Sequence, residues 1–145
     1  EPVANITAQP SELKGIDVPP ELVPLAIDEL PLVFALAACA DGVTTVTGAE
    51  ELRHKESDRI AHMVSNLKAV GVEVEEFADG ARITGGHITG GTVDSAGDHR
   101  IAMAFCVAAM GATAPVEILD TANVATSFPG FVPLMQSIGL QVAEQ

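Results

Sequence analysis

The residues able to do chemistry gather in two short stretches. Arg53-His54-Lys55-Glu56-Ser57-Asp58-Arg59 holds three of the seven Lys and Arg residues in a chain of 145 that also carries 20 Asp and Glu and a formal charge of -13. Farther on, Asp98-His99-Arg100 repeats one feature of it: an acid, then arginine at once or one residue later, then an apolar run (Ile60-Ala61 and Ile101-Ala102). A carboxylate at such a helix start is favourable, because the free backbone N–H groups and the positive end of the helix dipole attract negative charge. Arginine there has the wrong sign, at a cost of about 0.3–1 kcal/mol when exposed, so an acid or a bound anion must offset it. Its planar fork suits the two oxygens of a carboxylate or phosphate. If the two helices are neighbours, Arg59 and Arg100 can converge on one anion, with His99 as a further donor. Arginines facing an open concave surface would mark a substrate site; arginines buried against Glu56, Asp58 and Asp98 would mark a non-catalytic α/β module. A third helix start, Asp28-Glu29-Leu30-Pro31, supplies paired acids. Beside a cationic site Asp28 becomes a candidate general base, and so does Glu56, flanked by Lys55 and Arg59.

The elements that must position these groups follow a repeated order. Apolar spacing predicts helices over residues 28–40, 58–70, 98–110 and 129–138, each followed by a glycine (Gly42, Gly71, Gly111, Gly139). Strand-like runs follow at 43–47, 72–77, 116–119 and 140–143, with further strands at 3–8, 13–18, 81–84 and 91–93. The glycines of 85–91 fit neither dinucleotide nor Walker spacing and read as hairpin turns. Helices alternating with strands predict an α/β domain on a mixed sheet. The helix at 98–110 is apolar all round and should be enclosed.

Composition narrows the function classes. A chain of this length buries roughly two thirds of its unfolded surface, enough for one core. Its acidity argues against nucleic acid and anionic membranes as partners. Its longest apolar run, 30–40, is shorter than the roughly 18 residues a spanning helix needs and contains Pro31. Cys39 and Cys106 have no second Cys or His at ligand spacing, which reads as reduced core thiols of a cytoplasmic protein. The opening Glu1-Pro2-Val3-Ala4 is neither an initiator Met nor a signal peptide, so the chain reads as part of a longer protein.

LRHKESDRIAHMVSNLKAVGVEVE at 52–75, DHRIAMAF at 98–105, AIDELP at 26–31 and ATSFPGF at 125–131 together resemble the C-terminal part of the 5-enolpyruvylshikimate-3-phosphate synthases, over essentially the whole chain. Related enolpyruvyl transferases acting on UDP-N-acetylglucosamine share the architecture without this pairing of KESDR and DHR. The resemblance implies βαβαββ repeat units of the enolpyruvyl transferase (inside-out α/β barrel) type, about two of them here, with mixed sheets and enclosed helices. Residues 1–145 would then be the C-terminal portion of one domain, with the first domain of the enzyme lying outside this chain. The implied reaction moves the enolpyruvyl group of phosphoenolpyruvate to the 5-hydroxyl of shikimate 3-phosphate and releases phosphate, without metal or organic cofactor.

By position, the resemblance assigns Arg59, His99 and Arg100 to phosphoenolpyruvate, and Asp28 and Lys55 to shikimate 3-phosphate. Asp28 also becomes the candidate base for the 5-hydroxyl, and Glu56 the acid that protonates the methylene carbon. Two positions depart from many members: Thr126 stands where they carry a lysine, and Glu51 where some carry asparagine. Both resemble the branch tolerant of glyphosate, a phosphoenolpyruvate mimic. A fragment with a missing unit should be inactive alone and able to self-associate through an exposed sheet edge.

Overall fold

The computed structural model describes residues 3–143. Its first sheet is antiparallel, with β1 (Val43–Val46) and β2 (Glu73–Phe77) on either side of β3 (Gly80–Thr84). Along the other edge of β1, Lys14 and Asp17 make parallel bridges to Asp41 and Thr45, which gives the sheet its mixed character. With α1 (Leu30–Cys39) between that edge segment and β1, and α2 (Arg59–Ala69) between β1 and β2, the order is one βαβαββ unit. A second unit begins with β4 (Gly91–Asp94), α3 (His99–Ala109) and β5 (Val116–Leu119), β4 and β5 pairing in parallel. The chain then continues through α4 (Ala122–Ser127) and α5 (Phe131–Ser137).

The core explains why three helices hold together. One apolar cluster joins Leu30, Phe34 and Ala38 of α1, Ile60, Met63 and Leu67 of α2, Ile101 and Phe105 of α3, and Val46 and Ile83 of the sheet. Every residue from His99 to Ala109 is at least half-buried, as expected for a helix apolar on all sides. Small side chains at Ala35, Ala37, Ala104 and Ala108 occupy buried positions of α1 and α3, which pack against each other. A smaller cluster of Ala102, Val124, Phe131 and Met135 fastens α4 and α5 to the far side of α3.

Several expected elements differ. Residues 3–8 form no strand; residues 3–14 are exposed, and alternation without a neighbouring strand has nothing to pair with. The strand expected at 13–18 is reduced to its two bridges, and 140–143 runs without strand pairing. The first helix starts late: Pro24–Glu29 is a 3₁₀ helix with a kink at Ala26, and the α-helix begins only at Leu30. Pro31 accounts for this, because proline lacks an N–H and is tolerated only in the first turn. A second 3₁₀ helix, Glu50–His54, and α4 were not foreseen.

Nor is 85–91 a hairpin. β3 and β4 belong to different sheets, and the segment between them crosses over with Ile88 buried and bridged to Ala112. Gly85 permits the crossing, since a Cβ there would lie 2.1 Å from the Ala40 carbonyl oxygen and 2.4 Å from that of Ala37. Backbone, which cannot move aside, forms that wall. Gly85→Ala should therefore lower stability by about 1–3 kcal/mol through overpacking, read as a lower unfolding midpoint. Gly130→Ala, with Phe128 Cε2 at 3.8 Å as its nearest neighbour, should stay within about 0.5 kcal/mol of the parent.

Candidate active site

Three helix starts meet at one guanidinium. Arg59 opens α2, and its Nε donates to Asp98 Oδ2 at 2.8 Å, its Nη1 to Asp28 Oδ1 at 3.0 Å and its Nη2 to Glu56 Oε2 at 2.5 Å. Asp98 caps α3 by accepting from the Arg100 N–H at 2.9 Å, and its Oδ2 also accepts from Ser57 Oγ at 3.1 Å. Asp28 lies in the 3₁₀ turn just before α1. Arg59 and Asp98 are sealed from solvent, exposed over 1% and 0% of their side chains, whereas Asp28 and Glu56 are exposed over 46% and 54%. The cation is interior and two of its acids reach the surface.

Lys55 and Arg100 flank this hub. Lys55 Nζ stands 2.5 Å from Glu51 Oε1 and 3.4 Å from Asp28 Oδ1. Arg100 Nη1 donates to the Asp28 carbonyl at 2.9 Å and to Glu29 Oε1 at 2.7 Å. His99 is half-buried at the first position of α3. Arg53 turns the other way: it donates to the carbonyls of Phe77 and Ala78 in the β2–β3 turn and to the carboxylates of Glu76 and Asp58. Asp58 in turn caps α2 by accepting from the Ala61 N–H.

Thus the seven-residue stretch divides, Arg53 bracing the fold while Lys55, Glu56 and Arg59 join Asp28. Arg59 and Arg100 do not share one open anion cradle. Arg59 is buried against Glu56 and Asp98, the arrangement expected of a non-catalytic module, while Arg100 keeps nearly a third of its side chain exposed, so the two arginines divide between the two readings.

The environment sets the acids apart. Burial alone would raise the pKa of Asp98, yet the hydrogen bond and charge of Arg59, the Arg100 N–H and the Ser57 hydroxyl together bring it below the ordinary carboxylate value. Asp28 is likewise lowered: burial pushes up, and the hydrogen bond and charge of Lys55, the charge of Arg100 and the hydrogen bond of Arg59 outweigh it. Lys55 is raised, chiefly by its hydrogen bond to Glu51. Asp28 and Glu56 each spend one oxygen on Arg59; Asp28 Oδ2 and Glu56 Oε1 take no hydrogen bond from the described residues. Two acids held by one side and open on the other can exchange protons with a bound molecule.

The sequence offered Asp98 as a partner of the arginines only within the non-catalytic alternative, and gave it no part in a substrate site. A capping acid and a buried partner of Arg59 look alike in one dimension, and only its pairing with a wrong-signed arginine forty or so residues away hinted at more. Arg53, Ser57, Glu29 and Glu51 were also not foreseen as partners within the network.

A family model described as EPSP synthase (3-phosphoshikimate 1-carboxyvinyltransferase) matches residues 1–135. A 3-phosphoshikimate 1-carboxyvinyltransferase of Acidithiobacillus ferrooxidans is 61% identical over 140 residues, covering 97% of this chain and 32% of that protein. One from Legionella pneumophila is 56% identical over 144 residues, covering 99% of this chain and 33% of its own. Among solved structures, an EPSP synthase from Acinetobacter baumannii superposes with a TM-score of 0.89 at 46% identity, covering 92% of this chain and 32% of that one. The chain therefore spans about a third of the length of the curated relatives it matches, and its mixed α/β architecture is that of the enolpyruvyl transferase fold.

Removing Asp98 should strand a buried guanidinium. Asp98→Ala is expected to cost about 3–5 kcal/mol, measured by denaturant unfolding. Because the folded-state pKa of Asp98 is lowered from 3.8, its contribution is fully present above that value and is lost as pH falls from there through the folded-state pKa. In Asp98→Asn that acid-range loss should be reduced relative to the parent, which a pH series of unfolding midpoints would read.

Proposed function

Since this chain belongs to the EPSP synthase (3-phosphoshikimate 1-carboxyvinyltransferase) family, we propose that it is the C-terminal portion of an enzyme that moves the enolpyruvyl group of phosphoenolpyruvate to the 5-hydroxyl of shikimate 3-phosphate. The observation that carries this reading is the tethering of Asp28 and Glu56 to one buried guanidinium, with Lys55 and Arg100 beside them.

The chemistry asks for proton transfer at two neighbouring centres. Asp28, near the acceptor, takes the proton of the 5-hydroxyl as its oxygen attacks C2 of phosphoenolpyruvate. Glu56 delivers a proton to C3, and a tetrahedral ketal phosphate results. Expulsion of phosphate, which leaves with the proton that Asp28 took from the hydroxyl, and return of one C3 proton to Glu56 restore the double bond and both acids. Arg100 and His99 bind the anionic groups of phosphoenolpyruvate, and Lys55 those of shikimate 3-phosphate. Arg59 serves the same anion from behind, by fixing both acids and by supplying positive charge from a site shielded from water, where it acts more strongly than at the surface.

The cations arrive already partnered, Lys55, Arg59 and Arg100 standing among the carboxylates of Asp28, Glu29, Glu51, Glu56 and Asp98, so substrate anions enter a network in which acids outnumber cations instead of an empty positive pocket. No helix among the described residues is long and apolar enough to cross a membrane, and a small-molecule enzyme of the cytoplasm fits the reading. The first domain of the longer protein would close over Asp28, Glu56 and Arg100 and supply the remaining substrate contacts.

In the full-length parent, phosphate release from phosphoenolpyruvate should require shikimate 3-phosphate and should not occur with UDP-N-acetylglucosamine. Glu56→Gln should lower kcat by about 10²–10⁴. Turnover with the UDP-sugar alone would move the acceptor and overturn this assignment. The 145-residue chain by itself should show no turnover, and measurable activity from it would remove the need for a second domain.

A further inference from the structure

Among the arginines of this region, Arg100 is the one with donors to spare. Its Nη1 is fixed by the Asp28 carbonyl and by Glu29 Oε1, while Nε and Nη2 take no acceptor among the described residues, and 31% of the side chain is exposed. Arg59 differs, because its fork is filled by Asp98, Asp28 and Glu56 and sealed inside the fold. Arg53 differs too, held by two backbone carbonyls and two carboxylates away from Asp28. Of the three arginines, Arg100 is therefore the one an incoming anion can meet, and it meets Glu29 with it.

Glu29 has the position of a helix cap and does not act as one. It sits at the N-cap of α1, yet its side chain makes no capping hydrogen bond; the carboxylate turns instead to Arg100 across a separation of 71 residues, while remaining 64% exposed. A charge at a helix start gains something from the dipole wherever it points, so a purely structural acid would not need the guanidinium. The 2.7 Å contact is a charge-assisted hydrogen bond to the very group that would receive a carboxylate or phosphate.

We propose that Glu29 sets the affinity of the phosphoenolpyruvate site: its carboxylate pre-pairs with Arg100, and the substrate anion must displace it or share the cation with it. This rests on the reading of Arg100 as a phosphoenolpyruvate ligand. Glu29 is a specificity-determining residue in this sense and takes no part in proton transfer. By holding one negative charge on the guanidinium, it weakens every anion that uses Arg100, including the phosphate product. Selectivity then comes from what else a ligand can contact, because a small anion that touches only Arg100 gains little over Glu29, whereas one that also reaches His99 gains more.

The test is a double-mutant cycle in the full-length parent, with saturating shikimate 3-phosphate and phosphoenolpyruvate varied. Glu29→Gln removes the charge while leaving an amide oxygen, and it should lower KM for phosphoenolpyruvate, and the inhibition constant of inorganic phosphate, by about two- to five-fold, the worth of a partly exposed ion pair. Arg100→Ala should raise KM for phosphoenolpyruvate, and in that background Glu29→Gln should have no further effect. Glu29→Asp, whose shorter chain holds the guanidinium less well, should fall between the parent and Glu29→Gln.

If Arg100→Ala leaves KM unchanged, the reading of Arg100 fails and the inference falls with it. If Arg100→Ala raises KM while Glu29→Gln leaves it unchanged or raises it, the inference alone is overturned. An equal effect of Glu29→Gln with and without Arg100 would also overturn it, since the change would then be a general loss of negative charge near the site.

Discussion

A guanidinium with 1% of its surface in contact with solvent is stable only if its charge is answered at close range, and everything around Arg59 follows from that requirement. Asp98, itself sealed, answers that charge from inside the fold through Nε and is locked in place by the Arg100 N–H and the Ser57 hydroxyl. The pair gains strength in the low-dielectric interior, but only because the remaining lone pairs and protons are also satisfied. Among the described residues, no buried side-chain nitrogen or oxygen lacks a hydrogen-bond partner. Three segments are thereby fixed to one point: the start of α2 through Arg59, the cap of α3 through Asp98, and the turn before α1 through Asp28. Apolar packing brings α1, α2 and α3 together, but it is insensitive to small sliding of one helix against another. The ion pairs are not, because a displacement of an ångström would break hydrogen bonds of 2.5–3.0 Å.

The same logic extends outward along α2. Arg53 fixes Asp58, the cap of that helix, to the turn between β2 and β3. Farther along, Asn66 donates to the Asp94 carbonyl and accepts from its N–H, at the end of β4. Asp94 then accepts from the Ala96 N–H, and Ala96 adopts a positive φ of 51° just before Asp98. Such a backbone conformation is unfavourable for alanine and persists only where the surroundings dictate it. The loop that delivers Asp98, His99 and Arg100 is thus held at both ends by α2, through Asn66 on one side and Arg59 on the other.

How much of this could be read from the sequence depended on whether the signal was local. Apolar spacing located α1, α2 and α3, since each buries a stripe or a whole cylinder, and the paired Asp58-Arg59 and Asp98-His99-Arg100 starts pointed to a shared charge cluster. Which acid answers which arginine could not be read. Arg53 and Arg59 lie six residues apart with similar neighbours, and one braces a hairpin while the other anchors the cluster, a difference made by strands that arrive twenty residues later. The strands expected at 3–8 and 140–143 failed because a period of two means nothing without a partner strand. The 3₁₀ helices at Pro24–Glu29 and Glu50–His54 are too short to leave a periodic trace, although they carry Asp28, Glu29 and Glu51.

The burial pattern also explains how acids can stay reactive inside a rigid network. A carboxylate that must give and take protons cannot have both oxygens committed, and one with neither committed would be free to turn. Asp28 and Glu56 stand between these limits, each with one oxygen on Arg59 and the other outside the described hydrogen bonds. The cation that orders them is itself sealed from solvent, so ordering does not require them to be buried. Asp98 shows the opposite solution, with both oxygens occupied and no exposure, and it is correspondingly the acid least able to exchange a proton. One guanidinium therefore separates structural from reactive carboxylates by depth alone: the acid behind it is fixed, and the two in front of it are oriented but open.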